Sequence, residues 1–174
     1  FLREWASPLT VANFILLGGA SGFTLAAVFS GWVTPGLTSF FTGWAIILTV
    51  LGFASRVASL VRNQRLRPKS TLQTALGIKH PRIVQKSMGF MGGSFNTREF
   101  FHGRTPLVLR SVKWVFLLAA FAVPLVLLAA GWPRAAMPVL LAAFVVQYLG
   151  LLAERWFFFA QANHPQNLYY QAIA

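Results

Sequence analysis

No charged side chain occurs in residues 5–55, which read WASPLTVANFILLGGASGFTLAAVFSGWVTPGLTSFFTGWAIILTVLGFAS. A helix needs about 20 apolar residues to cross about 30 Å of hydrocarbon, so this stretch is too long for one membrane span. Glycine and proline mark a turn at residues 31–36, which read GWVTPG. The stretch therefore predicts two transmembrane helices, near residues 9–30 and 39–61, with a tight turn between them.

Two further apolar runs follow later in the chain. The first covers residues 112–130, and a Trp-Pro-Arg turn then leads into the second, at residues 136–161. Backbone polar groups in lipid must be hydrogen-bonded within their own segment, so all four runs are predicted to be helices. The predicted fold class is all-α: an integral membrane bundle of four helices that forms a single transmembrane domain over residues 1–174.

The composition argues against most other classes of protein. Hydrophobic residues make up 56% of the chain and charged residues only 10%, whereas soluble domains carry about 25% charged residues. The chain has no cysteine, which rules out disulfides and thiolate ligands for zinc or iron–sulfur clusters. The net charge is +12, but 12 of the 15 cations lie between Arg56 and Lys113. This clustering predicts a membrane protein with one basic loop and no nucleic-acid partner.

The basic loop at residues 62–110 predicts the orientation in the membrane. It carries ten cations, whereas the turns at residues 31–38 and 131–135 carry one between them. Because positive loops stay in the cytoplasm, we expect the loop and both chain ends on the cytoplasmic side. The chain begins with Phe1 and has no signal-peptide pattern, so we expect it to be a piece of a longer protein.

Three ionisable side chains near the cytoplasmic helix ends are the candidate cofactor-binding residues. Glu154 lies about 26 Å along the fourth helix from Met137, at about 1.5 Å per residue. Arg56 and Arg155 lie at a similar depth. One interpretation is that the three groups shape a polar pocket for a quinone head group. The alternative is that the arginines snorkel to the interface while the glutamate neutralises one of them.

Other small and polar residues in the predicted spans favour structural roles. Gly18 and Gly22 form a small-xxx-small pattern, which is typical of close helix packing. Gln147 lies nearer the middle of the membrane and is expected to form an interhelical hydrogen bond. None of the three histidines lies inside a predicted span, so we expect no haem in this fragment. No ligand spacing predicts a metal site, and we assign no catalytic residue.

Five phrases of the sequence resemble one family of membrane proteins. They read SPLTVANFILLGGASG at residues 7–22, STLQTALGIKHPR at 70–82, GGSFNTREFFHG at 92–103, AERWFFFA at 153–160 and HPQNLYY at 164–170. Together they resemble the membrane anchor subunit of dimethyl sulfoxide reductases, a family that includes the anchor of cytoplasmic sulfite dehydrogenases. The likeness covers the whole chain and corresponds to the C-terminal half of such a subunit.

The resemblance implies an eight-helix subunit without haem, in the bacterial inner (cytoplasmic) membrane. Such a subunit binds menaquinone or ubiquinone and passes electrons between the quinone pool and an iron–sulfur subunit. That partner connects to a catalytic subunit with a molybdenum bis-pterin cofactor, so the anchor is a non-catalytic or quinone-reactive part of an oxidoreductase complex. Contacts with the iron–sulfur subunit are expected from the loop residues His80, Arg82, Arg98, Glu99, Phe100, His102 and Arg104.

The lengths of the connections favour the sulfite dehydrogenase branch of this family. A standard protein interface buries about 800 Å² on each partner, which the long loop can supply and the short turns cannot. Iron–sulfur and molybdenum subunits docked on the loop are cytoplasmic, unlike those of an exported dimethyl sulfoxide reductase. The alternative function is that of a non-redox membrane protein, such as a transporter half or an assembly factor.

Overall fold

The computed structural model describes residues 2–67, 71–84, 106–132 and 136–162. Every regular element in these ranges is helical, and four stretches are long and apolar enough to cross a membrane. The helices are α1 (Pro8–Val33), α2 (Thr38–Arg65), α3 (Leu72–Leu76), α4 (Pro106–Leu117), α5 (Val123–Gly131) and α6 (Met137–Ala160). The predicted all-α membrane bundle is confirmed for the described residues, and this is the architecture of a multi-pass membrane protein.

The first two spans form an antiparallel pair. Ser7 caps α1 by accepting a backbone N–H at 3.3 Å, and Pro8 occupies the first turn, where its missing N–H is not needed. A 3₁₀ turn at Pro35–Leu37 connects α1 to α2. The Ser30 and Thr38 hydroxyls lie 3.2 Å apart across this connection. The 3₁₀ turn and this hydroxyl contact hold the two helices together at the end that lies away from the basic loop.

Two helix ends differ from the predicted ones by four residues or more. Helix α2 continues to Arg65 instead of ending at residue 61, and α4 begins at Pro106 instead of residue 112. Both extensions contain polar residues. The predicted spans include apolar runs alone and therefore stop before these extensions, although polar residues are compatible with a helix outside the hydrocarbon. Proline is favoured in the first turn of a helix, which suits Pro106. The connection between the second and third spans is therefore shorter than predicted, and it contains α3.

The third span is irregular in its middle. A π-helical turn at Leu118–Ala122 separates α4 from α5, and Pro124 follows it directly in α5. Proline has no N–H for the ordinary helical hydrogen bond, and a π-turn is one of the ways in which a helix accommodates such a break. The turn places Ala120 and Phe121 in the core, both about 1% exposed.

Helix α6 packs most closely on the third span at Gly150. Gly150 is buried, and a Cβ atom built there would lie 2.7 Å from the Cα of Ala120. The apolar core around this crossing includes Leu17, Phe116 and Phe121. The absence of a side chain at residue 150 therefore allows the irregular turn and α6 to approach each other.

We expect Gly150→Ala in the full-length subunit to lower the free energy of unfolding by about 1–3 kcal/mol, the usual cost of overpacking. The added methyl group meets the backbone of Ala119 and Ala120, which cannot rotate away as a side chain can. Thermal unfolding of the detergent-purified subunit measures the effect. Gly36→Ala is the control, because nothing lies within 4 Å of a Cβ atom at that position. Equal midpoints for the two variants contradict the close approach of α6.

Candidate functional site

A cavity of about 210 Å³ lies at one end of the bundle, where four segments that are distant in sequence meet. It is bounded by the residues before α1, the end of α2, Lys113 in the second half of α4 and the end of α6. The lining residues are Glu4, Leu60, Asn63, Gln64, Leu66, Lys113, Phe157 and Gln161. The N-terminal segment and both ends of the basic loop therefore lie on the same side of the bundle, as the charge pattern predicts.

The N-terminal segment, residues 2–7, forms one wall of the cavity and is fastened by side chains of other elements. The Arg62 guanidinium donates from Nη2 to the carbonyls of Arg3 and Ala6, at 3.1 and 3.3 Å. The indole of Trp5 donates to the carbonyl of Phe158 at 3.2 Å and stacks on its ring, with the centroids 5.3 Å apart. These contacts join the segment to α2 and α6.

The cavity combines apolar walls with hydrogen-bonding groups. Leu60 and Phe157 supply apolar surface, and Lys113 supplies a cationic donor. The amide nitrogen Nε2 of Gln161 is buried and has no hydrogen-bond partner among the described residues. Buried polar groups are nearly always paired in proteins, so this donor is available to a bound molecule or a water. The arrangement suits a flat ring whose carbonyl oxygens accept hydrogen bonds.

The three predicted site residues come together in one buried cluster, which we call the arginine–glutamate cluster (Arg56, Glu154 and Arg155). Arg56 Nε lies 2.7 Å from Glu154 Oε1, although its N–H bond is not aligned with that oxygen. Arg155 pairs with Glu154 Oε2 through both Nε and Nη2. The glutamate carboxylate therefore lies between two guanidinium groups, one from α2 and one from α6.

Burial bears on the snorkelling interpretation of these arginines. The side chain of Arg56 is 2% exposed and that of Glu154 is 0% exposed, whereas that of Arg155 is 27% exposed. The snorkelling interpretation is wrong for Arg56, because its guanidinium turns inward to the carboxylate and not outward to water. The second part of the snorkelling interpretation, in which a glutamate neutralises an arginine, agrees with the observed ion pair. Two guanidinium groups share one carboxylate, so the cluster carries a net charge of +1.

Aromatic rings surround the arginine–glutamate cluster. The Arg56 guanidinium carbon lies 5.5 Å from the ring centre of Phe116, and that of Arg155 lies 4.1 Å from the ring centre of Phe14. The faces of such rings attract cations. Arg56 Nη2 and Arg155 Nη1 are nevertheless buried without a hydrogen-bond partner in the described part of the chain. Each guanidinium group of the cluster therefore has a nitrogen donor that is available for a further hydrogen bond.

The arginine–glutamate cluster lies one helical turn deeper in the bundle than the cavity. Arg56 precedes the lining residue Leu60 by four positions, and Glu154 precedes Phe157 by three. The ring of Phe116 connects the two sites, because it lies near Arg56 and also 5.2 Å from the Phe157 ring. None of the three cluster residues lines the cavity itself.

A second polar layer lies nearer the middle of the bundle. Gln147 donates from Nε2 to the Thr49 hydroxyl at 3.0 Å, and its Oε1 lies 2.8 Å from the Thr24 hydroxyl. All three side chains are at most 1% exposed. The predicted interhelical hydrogen bond of Gln147 is confirmed, and it joins α6 to both α1 and α2. The two threonines were not predicted from the sequence as the partners of Gln147.

The residues expected to contact a partner are only partly described. His80 and Arg82 lie exposed after α3, and the His80 ring accepts the Arg82 backbone N–H at 3.1 Å. No group of histidines and acids able to hold a metal ion occurs within the described ranges. The remaining predicted partner residues lie outside the described residues: Arg98, Glu99, Phe100, His102 and Arg104.

The sequence of this chain is similar to that of a named protein. No protein-family model and no solved structure matches the chain. The chain is 52% identical to a subunit of the sulfite dehydrogenase of Allochromatium vinosum. The match covers all 174 residues of this chain and 54% of the relative, so the chain spans about half the relative's length. The relative's name agrees with the sulfite dehydrogenase branch of the resemblance, whereas the dimethyl sulfoxide reductase family is not shown by these comparisons.

Proposed function

We propose that this chain is part of the membrane subunit of a sulfite dehydrogenase complex, in which it exchanges electrons between a soluble iron–sulfur subunit and a quinone. The observation that carries this proposal is the 52% identity to a sulfite dehydrogenase subunit along the whole chain. A membrane bundle with a polar cavity at one end supports the quinone part. The molybdenum cofactor and iron–sulfur clusters belong to partner subunits in this proposal, because this chain has no cysteine.

The cavity is the proposed site of the quinone head group. A quinone supplies a flat conjugated ring that takes up two electrons and two protons to form a quinol, and the quinol releases them on oxidation. Phe157 and Leu60 pack against the ring, and Lys113 and Gln161 donate hydrogen bonds to its oxygens. A charge-assisted hydrogen bond of this kind stabilises the bound ring by about 1.5–3 kcal/mol. The Glu4 carboxylate also lies in the lining, at the end of the bundle.

The arginine–glutamate cluster supports this site without lining it. Its net charge of +1, held one helical turn away, lowers the energy of negative charge on an oxygen atom in the cavity. Charges act strongly over this distance because the surrounding rings and helices have a low effective dielectric constant. In this proposal Arg56, Glu154 and Arg155 are positioning residues of the quinone pocket.

The soluble subunits dock on the basic loop, on the cytoplasmic side of a bacterial inner membrane. The Pro35–Leu37 turn at the opposite end is too short to bury about 800 Å² against a partner. His80 and Arg82 are exposed and free for such a contact, and the five loop residues outside the described ranges belong to the same proposed surface. Charge reversal at Arg98 is expected to release the soluble subunits from the membrane.

The orientation predicts a simple labelling result. Single cysteines at Gly36 and Ile78 lie at opposite ends of α2 and are both exposed, and the chain has no native cysteine to interfere. In intact cells, a membrane-impermeant maleimide is expected to label Gly36→Cys and not Ile78→Cys. Inverted membrane vesicles are expected to give the reverse pattern. Labelling of Ile78→Cys in intact cells contradicts the proposed orientation.

The function as a whole is tested by purifying the full-length subunit through an affinity tag at native expression. Co-purification of molybdenum and iron with sulfite-dependent quinone reduction is the expected result. Purification of the subunit alone, without metals, favours a transporter half or an assembly factor. Transporters commonly have broken helices with charged groups near the membrane midplane. The third span is interrupted at Leu118–Ala122, but the layer of Thr24, Thr49 and Gln147 in the middle of the described bundle is uncharged.

A further inference from the structure

The cavity lies in the space between the ends of α2 and α4. Leu60, Asn63 and Gln64 border it from the last two turns of α2, and Lys113 borders it from α4. Helix α2 packs on α5 and on the π-turn of the third span, but it makes at most slight contact with α4. The two helices therefore diverge toward the end that carries the basic loop, and the cavity occupies the gap that this divergence leaves.

An apolar cleft continues from the cavity toward the middle of the bundle. Its wall on α2 is one stripe of the helix, with residues spaced by four, three and four positions: Phe53, Val57, Leu60 and Gln64. The rings of Phe53 and Phe121, with centres 5.3 Å apart, close the cleft at its inner end. From Gln64 to Phe53 the stripe spans about 16 Å, at about 1.5 Å per residue. We call this space the α2–α4 cleft (Phe53, Val57, Leu60, Leu117 and Phe121).

The α2–α4 cleft is open on the outside of the described bundle. Phe53 is 42% exposed, although its ring contacts Phe121. Val57 and Leu117 are half-buried, and Leu60 is buried where the cleft meets the cavity. The outer surface of a membrane bundle at this depth adjoins the hydrocarbon of the bilayer. The cavity is therefore connected to the bilayer along an apolar path.

We propose that a quinone enters the cavity sideways from the bilayer, between α2 and α4, with its apolar tail lying in the α2–α4 cleft. This inference rests on the proposed function and adds the class of ligand, a membrane-dissolved quinone with a long tail. The order of the groups supports it, because the donors Lys113 and Gln161 line the cavity and the residues of the cleft are all apolar. Such a tail needs a continuous apolar path to the bilayer, since passage through water or polar groups is costly.

The direct test is photo-cross-linking in the assembled complex in its native membrane. A benzophenone amino acid replaces Phe53 in the full-length subunit, and an adduct with the mass of a tailed quinone is expected. Leu51 is the control position, because it is 49% exposed and lies two residues away, on the opposite side of α2 at nearly the same depth. It is expected to give phospholipid adducts. Phospholipid adducts alone at position 53, or an adduct with a transmembrane peptide that covers the cleft, overturn the proposal.

Enzyme kinetics test the path of the tail without a photoprobe. In the assembled complex, Val57→Trp narrows the cleft and is expected to raise the KM for a quinone with a long tail about tenfold, an effect of the size that overpacking produces. The KM for the same ring without a tail is expected to stay unchanged, and Leu51→Trp is expected to change neither value. An equal rise for both quinones overturns the cleft as the site of the tail.

The same measurements separate the cleft from the proposed function of the cavity. If Val57→Trp leaves both KM values unchanged while Lys113→Met raises both, the cleft is overturned and the head group still binds in the cavity. If Lys113→Met also changes neither value, the cavity is not the quinone site, and its proposed function fails together with the cleft.

Discussion

Glu154→Gln is expected to cost the full-length subunit about 3–5 kcal/mol of unfolding free energy, the usual result of breaking a buried ion pair. The substitution keeps the shape of the side chain and removes its charge. It leaves the Arg56 guanidinium, which is 2% exposed, without its counter-charge. It also raises the charge of the arginine–glutamate cluster from +1 to +2. Thermal unfolding in detergent and the amount of subunit in the membrane measure the loss.

A double substitution separates charge from shape in this experiment. Replacing a buried ion pair by apolar side chains is often neutral or stabilising, whereas removing one partner is not. Glu154→Gln combined with Arg56→Met is therefore expected to recover most of the stability, because Arg155 can still turn toward the surface. A double variant as unstable as Glu154→Gln alone contradicts the ion pair as the source of the effect. A stable Glu154→Gln variant indicates that water or another group already compensates Arg56.

The sequence predicted the spans well because their physical cause is local. A run of about 20 apolar residues must be helical in lipid whatever its neighbours are, so residues 5–55 were sufficient to predict α1 and α2. Helix ends were predicted less well, because polar extensions such as the one before Arg65 are stabilised outside the hydrocarbon. The π-turn at Leu118–Ala122 was not predicted, although Pro124 marks the place where the regular hydrogen bonds are interrupted.

Three of the five buried polar side chains of α2 follow a regular spacing that predicts an inward face. Thr42, Thr49 and Arg56 are each seven residues apart, and all three are at most 1% exposed. A seven-residue spacing keeps residues on the same face of a helix that packs against others. In a membrane helix, a repeated polar face is expected to point into the bundle. That pattern predicts inward positions for Thr49 and Arg56, and hence the partners of Gln147 and Glu154.

The cavity could not be predicted from the sequence in the same way. Its lining joins Glu4, Lys113 and Gln161, which are separated by more than 40 residues in the chain. Their proximity depends on the lengths and tilts of three spans and on the contacts that fasten the N-terminal segment. The arginine–glutamate cluster was predictable, because the depth of a residue follows from counting residues along a helix. The position of the cavity, one turn nearer the end of the bundle, depends instead on how the helices pack.

Lys113 provides the sharpest test of the cavity as a quinone site. In the assembled complex, Lys113→Met is expected to raise the KM for quinone at least tenfold. The reason is the loss of a charge-assisted hydrogen bond, worth about 1.5–3 kcal/mol, where about 1.4 kcal/mol corresponds to a factor of ten. Sulfite oxidation with a soluble artificial acceptor is expected to stay normal, since that reaction bypasses the membrane subunit. Lys79→Met is the control for the KM, because Lys79 is exposed in the basic loop and does not line the cavity, so this variant is expected to leave the KM for quinone unchanged.

The two activities together distinguish the possible roles of Lys113. A loss of quinone-linked turnover alone supports a hydrogen-bond donor in the cavity. Lys113→Arg is then expected to restore part of the turnover, because arginine keeps the positive charge and has a longer side chain. An equal fall in both activities indicates that Lys113 affects the assembly of the soluble subunits, since α4 follows the basic loop in the chain. Normal kinetics with both acceptors place the quinone elsewhere, and the arginine–glutamate cluster then acts in packing rather than in electron transfer.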